Sequence, residues 1–222
     1  MDAILEKLFA CVEFGKIDQA SPYPPQMKGQ PGADEYTKEA LESKIVPSEI
    51  MDSALIPAMN KVGRKFTENK IFVPQMLLSA KAMNASLAHL KPYFQSGEVK
   101  RKGTFILGTV FGDLHDIGKN LVGMMIEGAG WEVVDLGIDV KPEQFVEAVR
   151  QYPDAVVGIS ALLTTTMVNM EDVIRAVKEI SPKTKVIVGG APVTRDFAGS
   201  IGADAYGRDP QDNINWLETL VA

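Results

Sequence analysis

The sequence predicts an α/β fold: an N-terminal bundle of four helices, followed by a doubly wound, five-stranded parallel sheet of flavodoxin or Rossmann type. Three observations carry this. Up to about residue 95 the apolar residues recur at helical spacing. Beyond residue 102, short and continuously apolar runs alternate with amphipathic stretches, as in strands covered on both faces by crossover helices. Between them lies the polar, glycine-bearing linker "QSGEVKRK" at 95–102. The expected domains are therefore 1–95 and 102–222.

In the first domain Ile4, Leu5, Leu8, Phe9 and Val12 form the stripe of a first helix. "GKIDQASPYPPQMKGQPGADEY" is rich in Pro and Gly and reads as a long loop. A short second helix covers about 34–44. Pro47 opens a third, with Ser48 and Glu49 in its first turn and an apolar side through Ile50, Ala54, Leu55, Met59, Val62 and Phe66. "TENKIFV" breaks the pattern, and Pro74 starts a fourth through Met76, Leu77, Ala80, Met83, Leu87 and Leu90. Short links between such helices make a bundle.

In the second domain strands are expected at 104–110, 132–137, 155–160, 185–190 and 203–207. Helices are expected near 117–129, 142–152, 166–180, 193–200 and 210–221. Five strands alternating with five helices suggest the flavodoxin-like doubly wound order.

Composition narrows the function. Of 222 residues 45% are apolar, enough for a substantial core, and the net charge is −6 with Lys and Arg scattered. A nucleic-acid partner would need a basic stripe, so none is expected. No apolar run approaches the ~20 residues that span a bilayer, and the mixed-charge N-terminus does not read as a signal peptide. The expected location is the cytoplasm, with no membrane partner. Cys11, the single cysteine, sits in an apolar helical pattern and reads as a small core residue in a reducing compartment.

In a doubly wound sheet, ligands bind outside the carboxyl ends of the strands. The first strand runs into Gly112, Asp113, Leu114, His115, Asp116, Ile117 and Gly118, and the third into Ser160, Leu162 and Thr164–Thr166. The fourth runs into Gly189, Gly190, Ala191 and Pro192, and the fifth into Tyr206, Gly207 and Asp209. Small and hydroxyl-bearing residues along one rim imply a ligand that approaches the backbone closely. Ordinary structural roles compete: Asp116 as the N-cap of helix 117–129, Gly189-Gly190 as a turn, the Thr run as a cap.

His115 is one of only two histidines and follows Asp113 by two residues. A carboxylate that accepts from one ring nitrogen fixes the tautomer and raises the basicity of the other, as around a metal-ligating imidazole. Zinc would need three or four protein ligands. Cys11 is remote, and His89 reads as a solvated residue on a lysine-flanked helix. One protein ligand suffices where a macrocycle fills the remaining positions.

Asp113-x-His115-x-x-Gly118, followed by Ser160-x-Leu162 and then Gly189-Gly190, resembles the cobalamin-binding signature. Methionine synthase, the methyl-carrying corrinoid proteins and the B12-dependent isomerases share it. "GDLHDIGKNLV" is similar to the methyltransferase branch. "LIPAMNKVGRKFTENKIFVPQMLLSAKAM", 55–83, resembles the helical cap that precedes this domain in methyltransferases. The resemblance covers nearly the whole chain, apart from the loop at about 17–33.

The resemblance implies that His115 is the lower axial ligand of a cobalamin or related corrinoid in the base-off, His-on mode. Asp113 and Thr166 would complete a proton relay that answers the changing ligand demand of cobalt between Co(I) and methyl-Co(III). Ser160 and Thr164 would touch the nucleotide tail, with Gly189 and Gly190 leaving it space. Gly112, Leu114, Asp116, Ile117, Gly118, Leu162 and Tyr206 complete the implied cofactor rim. Phe66 and Val73 match positions that cover the methyl face of the corrin, although the family more often has Leu where Val73 stands.

The implied function is a carrier rather than a catalytically complete enzyme, namely the corrinoid subunit of a multi-component methyltransferase. It would accept a methyl group from a substrate:corrinoid methyltransferase. It would pass the group to a second methyltransferase that serves tetrahydrofolate or coenzyme M, and a reductive activase would restore it. Two alternatives stay open: a cobalamin-sensing regulatory module, and a flavodoxin-like signalling domain without metal. The first would need an output domain, and no segment reads as a helix-turn-helix.

Overall fold

The computed structural model describes residues 2–221, which form two compact units. The helical unit runs to Arg101 and includes Gly128–Gly130; the sheet unit takes Lys102–Glu127 and the chain from Trp131.

In the helical unit, α1 (Ala3–Phe14) starts where Asp2 accepts a hydrogen bond from the Ile4 amide (2.8 Å) and ends at Gly15 in the left-handed region (φ 73°). Then come α2 (Ala33–Glu42), α3 (Pro47–Ile50), α4 (Ile56–Thr67) and α5 (Val73–Gln95). The single third helix expected from periodicity is interrupted by a π-helical stretch, Met51–Leu55. The physical reason is Pro57, which has no N–H to give to the Ser53 carbonyl, so the ladder widens just before it. Leu5, Leu8, Val12, Ile50, Leu55, Met59, Met83 and Leu90 are fully buried.

The Pro- and Gly-rich loop is pinned at several points. Lys16 is fully buried and its ammonium donates to the Ser21 carbonyl (2.7 Å). Glu35 accepts from the Gln19 and Gly32 amides (2.9 and 2.8 Å). Two expectations change here. His89 is half-buried and paired with Asp34 (2.8 Å) rather than merely solvated. The 95–102 segment is not uniformly solvated either, because Val99 is buried and its amide donates to the Tyr93 carbonyl (3.1 Å).

In the sheet unit the strands are β1 (Thr104–Val110), β2 (Glu132–Val140), β3 (Val156–Ser160), β4 (Val186–Gly189) and β5 (Ala205–Gly207). All pair in parallel, in the order β2-β1-β3-β4-β5. The helices are α6 (Ile117–Gly128), α7 (Pro142–Gln151), α8 (Thr164–Met167), α9 (Met170–Ile180), α10 (Arg195–Ser200) and α11 (Pro210–Val221). Among the described residues no helix is long and apolar enough to cross a membrane.

Register explains how the sheet treats its two faces. Ile106, Val157, Ile159, Val186 and Val188 point to one face and form a closed core with Phe145, Val149, Val173, Ile174 and Val177 of α7 and α9. Alternate residues point the other way. There, Leu107 pairs with Gly158, Gly158 with Ile187 and Ile187 with Ala205, while Ser160 pairs with Gly189 and Gly189 with Gly207. Period-2 alternation of Val/Ile with Gly/Ser/Ala thus builds a core on one face and leaves a hollow on the other.

Candidate functional site

The hollow is a cavity of about 670 Å³ in the sheet unit. Its floor is Phe105, Leu107 and Ile187, with Leu121 and Val122 of α6. Its rim is polar: His115, Asp116, Ser160, Asp209 and Asn213. The glycines are required in different ways. A side chain at Gly158 would strike Phe105 (2.4 Å), and one at Gly189 would meet the Gly207 carbonyl (2.8 Å). Gly190 has φ 125°, and a Cβ there would lie 1.9 Å from the Ala161 carbonyl, so the chain itself demands glycine. Gly118 has open space around its Cβ direction and borders the cavity.

β1 runs straight into the loop that carries His115. His115 Nδ1 lies 2.7 Å from Asp113 Oδ1, whose side chain is fully buried while the imidazole is half exposed. The other carboxylate oxygen, Asp113 Oδ2, accepts from the Thr166 hydroxyl (2.6 Å) and the Leu162 amide (2.8 Å). Burial pushes the Asp113 carboxyl up, but the bonds from Thr166, Leu162 and His115 outweigh it and hold the group well below the usual carboxylate range. An ionised Asp113 places the ring proton on Nδ1. Nε2 is then a lone-pair donor at the cavity rim.

Several residues that hold this loop are not marked in the sequence. The buried Thr109 hydroxyl donates to the His115 carbonyl (3.0 Å). Asn169 Nδ2 donates to the Phe111 carbonyl (2.8 Å), and the Gly112 amide donates to Asp139 Oδ1 (2.7 Å). Thr109 is the easiest to find, as a lone hydroxyl at the end of an apolar strand. The buried Lys119 is committed to Asp135 (2.6 Å) and Asn120 (2.8 Å).

The other expected residues divide. Leu114, His115, Asp116, Ile117, Gly118, Ser160, Leu162, Gly189, Gly190 and Tyr206 all border the cavity. The Tyr206 ring also packs against the core of the opposite face. At the start of α6 the Asp116 carbonyl accepts from the Asn120 amide (2.7 Å) and its carboxylate from Asn120 Nδ2 (3.0 Å). Gly112 (φ 81°) turns the loop beside Thr166 instead of lining the cavity. Thr164 is exposed at the start of α8 and is not among the residues that line the cavity. Phe66 and Val73 are half-buried residues of the helical unit, at the end of α4 and the start of α5.

Comparison with known proteins shows the family to which the chain belongs. A family model described as a B12 binding domain matches residues 103–215, and a second B12 binding domain model matches 30–91. The chain belongs to the B12-binding family. Among relatives, trimethylamine corrinoid protein 1 of Methanosarcina acetivorans is 41% identical over 193 residues, covering 85% of this chain and 89% of its own. The dimethylamine corrinoid protein of Methanosarcina barkeri is 40% identical over 187 residues, covering 83% and 88%. Among solved structures, the methanol:cobalamin methyltransferase complex of Methanosarcina barkeri superposes with a TM-score of 0.83 at 29% identity, over 99% of this chain and 80% of that chain. A cobalamin-binding protein from Desulfitobacterium hafniense superposes with a TM-score of 0.74 at 28% identity, over 97% and 98%.

The residues of this B12-binding chain fit a corrinoid. Among the described residues no three His, Cys, Asp or Glu side chains converge as a metal site, so a metal at His115 must bring its other ligands with it. The hollow beside it has an apolar floor and a polar rim.

Proposed function

We propose that this B12-binding protein is the methyl carrier of a corrinoid-dependent methyltransferase system, with His115 as lower axial ligand and the cofactor's own base lodged in the cavity. The observation that carries the reading is the His115–Asp113–Thr166 chain, with Nε2 left at the rim of a hollow cleared of side chains. When bound, a corrinoid supplies a cobalt centre able to accept and donate a methyl group. The protein's part is to hold the imidazole. Asp113 fixes the tautomer, and Thr166 and the Leu162 amide keep Asp113 ionised. Together they let the proton on Nδ1 shift toward or away from Asp113 as the demand on Nε2 changes.

The methyl donor class we assign is a methylated amine, supported by relatives that are trimethylamine and dimethylamine corrinoid proteins at about 40% identity. The partners are then a substrate:corrinoid methyltransferase, a second methyltransferase and a reductive activase, in the cytoplasm. Phe66 and Val73 enter as the cap's contacts to the corrin, on the resemblance of 55–83.

The test is the visible spectrum of the protein with hydroxocobalamin. Wild type should show a His-ligated spectrum, and His115→Ala should still retain corrinoid but with a shifted spectrum and slowed methyl transfer. An unchanged spectrum with full activity in His115→Ala overturns the reading.

A further inference from the structure

We infer that Asp139, at the end of β2, is a positioning residue for His115. It sits on a strand with two irregularities. β1–β2 pairing steps from Leu107↔Asp135 to Gly108↔Gly137 and then to Val110↔Val140, so β2 carries an extra residue at each step. The second step lifts Asp139 out of the ladder and into the left-handed region, at φ 54°. An aspartate tolerates this better than most residues, yet such a conformation persists only where the surroundings fix it.

What fixes it is a two-way clasp on the site loop. The Gly112 amide donates to Asp139 Oδ1 (2.7 Å), and the Asp139 amide donates to the Asp113 carbonyl (3.0 Å). An exposed carboxylate at a strand end has water for a partner and needs no such bond. Here its partner is the glycine (φ 81°) at which β1 turns into the loop. The clasp therefore sets the backbone of Asp113, the residue whose side chain orients the imidazole. Thr109 and Asn169 pin the loop on either side, at His115 and Phe111. Between them the clasp from β2 holds the main-chain amide of Gly112 and the main-chain carbonyl of Asp113. The position of Nε2 thus depends on a residue outside the cavity lining.

This inference rests on His115 being the axial ligand, and its test separates the two. Asp139→Asn keeps an acceptor oxygen and tolerates a positive φ; Asp139→Gly keeps the backbone conformation and loses the acceptor. In the corrinoid-free protein, the Gly112 amide should exchange with solvent at least tenfold faster in Asp139→Gly and at the wild-type rate in Asp139→Asn. With hydroxocobalamin, Asp139→Gly should bind but shift its visible spectrum part-way toward that of His115→Ala. Asp139→Asn should match wild type. Unchanged exchange in Asp139→Gly overturns the clasp, and faster exchange with a wild-type spectrum overturns the positioning role. If His115→Ala leaves the spectrum unmoved, the axial-ligand reading fails while the exchange result still decides the clasp.

Discussion

Gly118 and Gly190 border the same cavity and are glycine for opposite reasons. At Gly190 the backbone is in a region closed to L side chains, and a Cβ would overlap the Ala161 carbonyl. Gly190→Ala should cost at least about 2 kcal/mol in urea unfolding, whether or not corrinoid is present. At Gly118 nothing lies near the Cβ direction, and the residue is the second of α6. Gly118→Leu should leave the corrinoid-free protein as stable as wild type or more so, by up to about 1 kcal/mol, because it replaces a poor helix former. It should also fill the mouth of the hollow and abolish retention of hydroxocobalamin on a desalting column. Full retention by Gly118→Leu would move the binding site elsewhere. His115, Asp113 and Gly118 are legible in the sequence because they lie within six positions of one another. Asp139 and Asn169 are not, since the fold brings them to the loop from neighbouring elements and no local period marks them.

Strand and helix types follow the apolar pattern closely, and the sheet order follows from their alternation. Besides the break before Pro57, a departure occurs where side chains serve partners outside their own element. Helix 166–180 is such a case: it splits into α8 and α9. Thr166 gives its hydroxyl to Asp113, and Asn169, at the break, gives its amide to the Phe111 carbonyl. Periodicity reads burial, and it cannot see these bonds. In the helical unit the pairing of α1 with α4 depends on Glu13, a buried carboxylate held by Lys61 (2.9 Å) and Lys65 (2.5 Å). Burial raises the Glu13 carboxyl, but the two lysines outweigh it and the net shift is downward. A depressed carboxyl stabilises above its unfolded value, about 4.3, and that stability is lost as pH falls through the folded value. Glu13→Gln should therefore cost about 1–2 kcal/mol at pH 7, reduced from the cost of a fully buried pair because both lysines reach water. The difference between the two proteins should shrink as the pH drops below about 4. Urea titrations at pH 7, 5 and 3.5 check it; a gap independent of pH would show that Glu13 acts only by packing.

At the scale of the molecule, the cavity and the imidazole are both in the sheet unit, so ligand binding should stabilise that unit through two separable contributions. A ligand that binds only the folded state at a hundred times its Kd contributes about 2.7 kcal/mol. For a unit of this size that raises the melting transition by roughly 10 °C. On the proposed reading, hydroxocobalamin uses both the axial position at His115 and the hollow. Cobinamide keeps the ring and cobalt but has no nucleotide, so it leaves the hollow empty and forgoes burial against Phe105, Leu107 and Ile187. At equal free concentration cobinamide should give less than about a third of the shift, because affinity lost with the tail enters logarithmically. His115→Ala should show the converse: most of the hydroxocobalamin shift survives, and the small cobinamide shift disappears. The two losses should be nearly additive, since the hollow's floor and the imidazole do not touch the same part of the ligand. Differential scanning calorimetry of wild type and His115→Ala with each corrinoid measures all four shifts. Equal shifts for hydroxocobalamin and cobinamide in wild type would mean that the Gly/Ser/Ala face of the sheet, however well cleared, is not where the nucleotide lies.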